Sequence, residues 1–284
     1  MQKNSLYKII AYPALIWFTV FLLLPVLLVV AISFSTRGTY GNIQWIFQSK
    51  NYQAALQVSY LLIFLKSLWM ATVTAMTCTV LGFFIAWAIA TANKKTRQLW
   101  LIVMILPFLT NLIIRIYATK LLVGVDGPLQ YTLQFLGIEF DPFYFTANPF
   151  LVFYGLASSY LPFAIFPMYA AFEKFDFDLV EAAIDLGAST KKIIFGVVMP
   201  NLRNALVSGF SLVFIPCLGE YVIPDLLGGA KQMLLGNLIV ENFLRARNWP
   251  VGAAISVCVF ILLGLFFILV NSSKGERHRR TSPS

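Results

Sequence analysis

Arg115 and Glu220 fall inside two of the long apolar stretches of this 284-residue chain. A charge at membrane depth costs about 2.5–3.5 kcal/mol on insertion scales, so each needs a physical reason to be there. Counted from the inner ends of their stretches, Arg115 lies sixteen residues beyond Leu99 and Glu220 fifteen beyond Ala205. At about 1.5 Å per helical residue both sit about 22–24 Å outward, a depth that lets them meet. A structural ion pair is expected for Arg115, and the alternative for Glu220 is to face a pore and attract a cation.

Other chemistries are excluded by what is missing. The one histidine, His278, sits in a basic tail, and Cys78, Cys217 and Cys258 lie in apolar runs with no metal-ligand or disulfide spacing. No H-E-x-x-H motif and no close carboxylate pair occurs within the helices, so no metal site, cofactor or catalytic residue is expected. A G-x-x-x-x-G-K-[ST] phosphate loop is absent as well, so any ATP and Mg belong to another polypeptide.

The elements that position these residues follow from composition. The chain is 59% hydrophobic and 12% charged, with a mean hydropathy of +0.79, against about 25% charged residues in soluble domains. Apolar runs near 9–34, 67–92, 99–123, 149–171, 205–224 and 250–271 each approach the roughly 20 residues that cross a bilayer. The fold class is therefore an all-α membrane protein with six transmembrane helices in a single domain over 1–284. The first run is too long for a signal peptide and is read as a retained helix. Placing both termini in the cytoplasm puts thirteen of the twenty-one Lys and Arg inside, including the tail 272–284. The net charge of +9 is dispersed between apolar runs, unlike the stripe that nucleic acid requires.

Aromatic residues mark the outer loops, with Tyr40, Trp45, Phe47 and Tyr52 in the first and Phe140, Phe143, Tyr144 and Phe145 in the second. They read as an interfacial belt. Pro107, Pro162, Pro167 and Pro216 are expected to kink helices three to five, which either shapes a cavity or is absorbed by neighbouring helices.

The longest inner connection, 172–204, has helix-forming composition over 179–195 broken once, at Gly187. It predicts two short helices, capped by Asp176 or Asp178 and by Ser189 or Thr190, with a bend between them. A mere connector needs fewer residues, so a packed hairpin here points to a docking surface for a cytoplasmic partner.

The stretch Glu181-Ala182-Ala183-Ile184-Asp185-Leu186-Gly187, with Ile194 and Met199-Pro200 after it, resembles the EAA loop of binding-protein-dependent ABC importer permeases. Met199 stands where leucine is usual, a volume-conserving change. The resemblance implies a type I ABC importer permease fold in the bacterial inner membrane. It also implies a cytoplasmic ATPase dimer engaged through Glu181, Ala182, Ala183, Asp185, Gly187 and Ala188, a second homologous permease and a periplasmic solute-binding protein. Gly187 would set the bend, and Ala182 and Ala183 would allow close approach.

Further stretches are similar to the permeases of spermidine/putrescine importers: Leu106-Pro107-Phe108, Asn111 to Tyr117, Gly219 to Gly229, and Asn248 to Ala254. Carboxylates with aromatic faces suit a flexible polycation. The resemblance therefore nominates Glu220, Asp225, Tyr221, Tyr117, Tyr160 and Trp249 as a substrate pathway, with Asp225 as a loop cap and Trp249 as an interfacial anchor the plainer readings. A gradient-driven secondary transporter is the rival class, but neither inverted repeats nor a clear midplane ion site is found.

Overall fold

The computed structural model describes residues 3–139, 141–142, 148–229 and 232–280, with side chains between 12 and 265. Phe140, Phe143, Tyr144, Phe145 and Lys231 lie outside the described residues, as do the side chains of the basic tail, His278 included.

In chain order, α1 spans Lys3–Ser33, followed by an antiparallel hairpin of β1 (Thr36–Arg37) and β2 (Ile43–Gln44) and by α2, Lys50–Ala55. Next come α3, Val58–Thr91, α4, Lys94–Leu109, α5, Leu112–Val123, α6, Pro128–Phe135, and α7, Pro149–Phe172. The connection after α7 holds α8, Asp178–Asp185, and α9, Thr190–Asn201, which carries a π-turn over Ile194–Val198. Then α10 covers Arg203–Gly219, α11 Val222–Leu227, α12 Leu235–Val240 and α13 Trp249–Arg280.

Tyr12–Ser33, Val58–Thr91 and Pro149–Phe172 are each long and apolar enough to cross a bilayer unaided. Two more candidates exist only as bent pairs, Lys94–Leu109 with Leu112–Phe135 at 90° and Thr190–Asn201 with Arg203–Gly219 at 76°. The described residues thus hold three to five candidate spans, and the sixth apolar run maps onto the start of α13, where Trp249–Leu265 is apolar but shorter.

The 90° and 76° bends fall within three residues after Pro107 and Pro200, whereas Pro162 and Pro167 produce none. Helix α7 continues unbroken through Pro162 and Pro167, because neighbouring groups in a membrane protein can re-satisfy the carbonyls a proline frees. The 90° turn follows Thr110, where Asn111 takes an extended backbone and its side chain accepts from the Ile113 N–H at 2.8 Å. A good N-cap starts a new helix and so ends the old direction. Helix α3 also begins nine residues before the apolar run, so Lys66 rides within the helix rather than in a loop.

The contacts divide the chain into two compact units, 1–62 with 238–284, and 63–237. In the first, α1 and α2 pack on α13. Asn51, buried, donates to the carbonyls of Ser33 at 2.8 Å and Ser35 at 2.7 Å. It thereby satisfies acceptors that the end of α1 leaves open. Tyr40, Trp45 and Phe47, in the segment between α1 and α2, are exposed, and Tyr52 turns inward to the Ser33 hydroxyl at 2.7 Å.

The second unit is built on close helix approach. A Cβ added at Gly82 would lie 3.2 Å from the Ala164 Cβ, and one at Gly209 would lie 3.1 Å from the Ala164 carbonyl and 2.8 Å from Met168 Cε. Small residues on α3, α7 and α10 thus let three helices meet around Ala164, which is fully buried. In lipid, where hydrophobic transfer drives little, such contact is what holds helices together. Gly209→Leu is expected to destabilise the bundle by about 1–3 kcal/mol through overpacking. A fall in the detergent-extracted melting temperature checks it, and Gly264→Leu, at a glycine with nothing within 4 Å, serves as the tolerated control.

Candidate functional site

Two regions of the second unit collect the residues singled out in the sequence. The first is the inner hairpin. Asp176 accepts from the Asp178 N–H at 3.1 Å, an Asx turn that starts α8. The helix ends in a Schellman arrangement, with the Ala188 N–H on the Ala183 carbonyl at 3.0 Å and the Gly187 N–H on Ile184 at 2.8 Å. Gly187 takes φ +74, and a Cβ there would meet nothing within 4 Å. Its glycine is required by backbone conformation alone. Ser189 occupies the N-cap of α9 without a side-chain bond.

Glu181, Ala182 and Asp185 are exposed and Ala188 is half-buried, whereas Ala183 is buried within its own chain. Of the two alanines, only Ala182 is therefore open to another molecule. Sequence reasoning missed the most prominent group here, Leu186 at the hairpin tip, which is 87% exposed, with Ile184 and Phe195 exposed nearby. A leucine in water beside a helix stop was a readable signal.

The hairpin is tied to the membrane helices by aromatic rings. Phe177 stacks on Phe172 at 6.4 Å, Phe175 meets both, and buried Phe172 contacts Phe83 at 5.4 Å and Trp87 at 5.7 Å on α3. Arg97 at the start of α4 pairs with Glu173 at 3.1 Å and lies 5.9 Å from the Tyr169 ring centre.

The second region lies beyond the end of α10, where the chain breaks at Glu220, passes through the short α11 and resumes helix in α12 at Leu235. The chain leaves α10 at Gly219, and the Glu220 carboxylate turns back on it. One oxygen accepts from the backbone N–H groups of Tyr221 at 3.0 Å and Val222 at 2.8 Å, and the other from the Tyr160 hydroxyl of α7 at 2.5 Å. The expected Arg115–Glu220 pair does not form. Depth had been counted along a straight third helix, and the 90° bend after Thr110 invalidates that count.

The interruption closes at a narrow neck. Asn237 donates to the Tyr221 carbonyl at 3.0 Å and accepts from the Leu234 N–H at 3.3 Å, while the Leu235 N–H reaches the Ser67 hydroxyl at 2.7 Å. A Cβ on Gly236 would fall 2.5 Å from the Gly219 carbonyl and 2.6 Å from that of Glu220. Irregular backbone shielded from water needs its polar groups satisfied by protein, and these side chains do so for the Tyr221 carbonyl and the Leu234 and Leu235 N–H groups. Asn237, Ser67 and Gly236 were not singled out in the sequence, because their partners lie far along the chain.

The structure thus joins Tyr160 to Glu220 and sets Tyr221 beside them, half its surface exposed. Phe163 lies 6.0 Å from Tyr160, and Phe108 5.0 Å from Phe163, extending an aromatic series that the sequence did not flag. Asp225 is exposed in the first turn of α11, and exposed Tyr117 on α5 makes no side-chain hydrogen bond among the described residues. Trp249 opens α13 in the other unit, edge-on to Phe243 at 5.6 Å. The grouping can hold a cation against a carboxylate and rings, but presents no nucleophile with a base.

A family profile described as "Binding-protein-dependent transport system inner membrane component" matches residues 78–274. The chain is 38% identical over 253 residues to the spermidine/putrescine transport system permease protein PotB of Escherichia coli, covering 89% of this chain and 92% of that one. It is 37% identical over 273 residues to PotB of Haemophilus influenzae, covering 96% of each. In fold it is similar to a chain of the bacterial alginate ABC transporter solved in complex with an alginate pentasaccharide-bound periplasmic protein. That likeness has a TM-score of 0.72 at 16% identity, over 100% of this chain and 98% of the other.

Gly236→Ala is expected to open the neck and cost about 1–3 kcal/mol, because the colliding atoms are backbone oxygens that cannot step aside. Gly219→Ala, three residues from Val222 and with nothing within 4 Å, is expected to be near neutral. Thermal unfolding of the two purified variants checks the contrast.

Proposed function

Because the chain belongs to the binding-protein-dependent transport system inner membrane components, we propose that it is the permease subunit of an ATP-driven importer whose solute is a polyamine of the spermidine/putrescine class. The observation that carries the solute reading is the near full-length identity to permeases named for spermidine and putrescine. The chemistry agrees: Glu220 and Tyr160 offer a carboxylate and a ring to an ammonium, with Tyr221 alongside. Asp225, Tyr117 and Trp249 complete the proposed pathway. A few weak contacts suit transport, since tight binding in the pore would slow release.

In this reading the bundle has six crossings with both termini in the cytoplasm of a bacterial inner membrane. A second, homologous permease completes the pore, and a periplasmic binding protein delivers solute from outside. The hairpin α8–α9 seats in a cytoplasmic ATPase dimer through Leu186, Ile184 and the exposed polar residues Glu181 and Asp185, with Ala182, Gly187 and Ala188 allowing close approach. Nucleotide and Mg act on that partner, and its closure reaches α3 and α7 through the ring cluster at Phe172. The stacking of Phe177 on Phe172 supports such a transfer.

Glu220→Gln in the reconstituted complex, with binding protein and ATP, is expected to lower spermidine uptake about tenfold or more, the worth of a hydrogen bond to a charged group. Unchanged uptake would remove Glu220 from the pathway. Leu186→Asp is expected to weaken ATPase association about tenfold or more, since burying a leucine contributes about 1.5–3 kcal/mol. Pull-down of the ATPase from solubilised membranes reads this directly, and undiminished recovery would place the docking surface elsewhere.

A further inference from the structure

The guanidinium of Arg115, deprived of Glu220, has no hydrogen-bond or ion-pair partner among the described residues, and its Nε is buried with nothing to donate to. The residue as a whole is half-buried, and a buried donor atom of a charged group without an acceptor is costly. The same side chain lines a cavity of about 390 Å³ between α5, α6 and α7, with Thr119, Leu122, Leu129, Phe150 and Tyr154 around it.

The lining sorts by chemistry. Thr119 has already given its hydroxyl to the Arg115 carbonyl at 3.0 Å, so Arg115 and the Tyr154 hydroxyl are the polar donors left, and they adjoin an apolar slot. Of its apolar lining, Leu122 and Phe150 are themselves exposed. A site that is cationic at one end and greasy along its length fits an amphipathic anion. It does not fit the polycationic solute, which Arg115 would repel.

We propose that this cavity is a binding site for an anionic phospholipid, its phosphate held by Arg115 and Tyr154 and the start of an acyl chain lying against Leu122, Leu129 and Phe150. Arginine suits the role because its fork of N–H groups matches phosphate oxygens. The bilayer presents this chemistry to every face of a membrane bundle without a second chain shaped to fit. The lipid supplies the counter-charge expected of Glu220. The site stands whether or not the polyamine reading does.

The test uses the assembled complex in nanodiscs of phosphatidylglycerol mixed with phosphatidylcholine. Native mass spectrometry after mild delipidation counts the phosphatidylglycerol retained by wild type, Arg115→Gln, Arg115→Lys and Ala118→Trp. Retention is expected to fall about fivefold or more in Arg115→Gln, the factor one basic contact with an anionic membrane lipid is worth, and to survive largely in Arg115→Lys. Ala118→Trp keeps the charge but fills the slot, and is expected to lose the lipid too; it decides the matter if Arg115→Gln fails to assemble. Equal retention in wild type and Ala118→Trp overturns the proposal. Displacement of the lipid by inorganic phosphate would assign the site to a free anion, and a crosslink from position 115 to an acidic side chain of the second permease would assign it to a subunit contact. Either result also overturns it.

Discussion

A chain that abandons its helix within a packed bundle must satisfy its own backbone, and the neck where Gly236–Asn237 closes on Gly219–Tyr221 is where this protein meets that demand. The closure has no tolerance. Only a hydrogen atom fits between the Gly236 Cα and two backbone carbonyls, and Asn237 must both donate and accept across the gap. Because the neck is fixed, the Glu220 carboxylate can curl onto the N–H groups of Tyr221 and Val222 and still present its other oxygen to Tyr160. A carboxylate held from three directions is positioned before any cation arrives.

Around that neck the helices contribute rigidity of another kind. Gly82 and Gly209 bring α3 and α10 within backbone reach of Ala164 on α7, the helix that also carries Tyr160 and ends in Phe172. One helix thus runs from the interruption to the ring cluster beneath it, passing intact through two prolines. The ring cluster in turn anchors the hairpin by stacking instead of by a flexible linker.

Much of this was legible in the sequence. Three of the six apolar runs became helices long and apolar enough to cross a bilayer unaided, and Gly187 marked the hairpin bend because a Schellman stop needs φ above zero and glycine supplies it. What stayed hidden was direction and distance. Asn111 lies among apolar residues, so its capping of a new helix was masked by hydrophobicity that continues on both sides, and the depth argument for Arg115 failed with it. Of the prolines expected to kink helices three to five, Pro107 stands one turn before the 90° bend, whereas Pro162 and Pro167 leave α7 unbroken. Ser67 meets Leu235 across 168 positions of sequence, a separation no local pattern reports.

The π-turn at Ile194–Val198 has a separate bearing on the hairpin. A wide turn holds a residue that an ordinary helix would not, and each helical residue advances the side-chain direction by about 100°. Deleting that surplus residue would leave α10 anchored at its own contacts while Leu186 and its neighbours swung around to a different azimuth. The hairpin's orientation is therefore a matter of residue arithmetic: the spare position sets the angle at which its tip is presented, much as a vernier sets a dial.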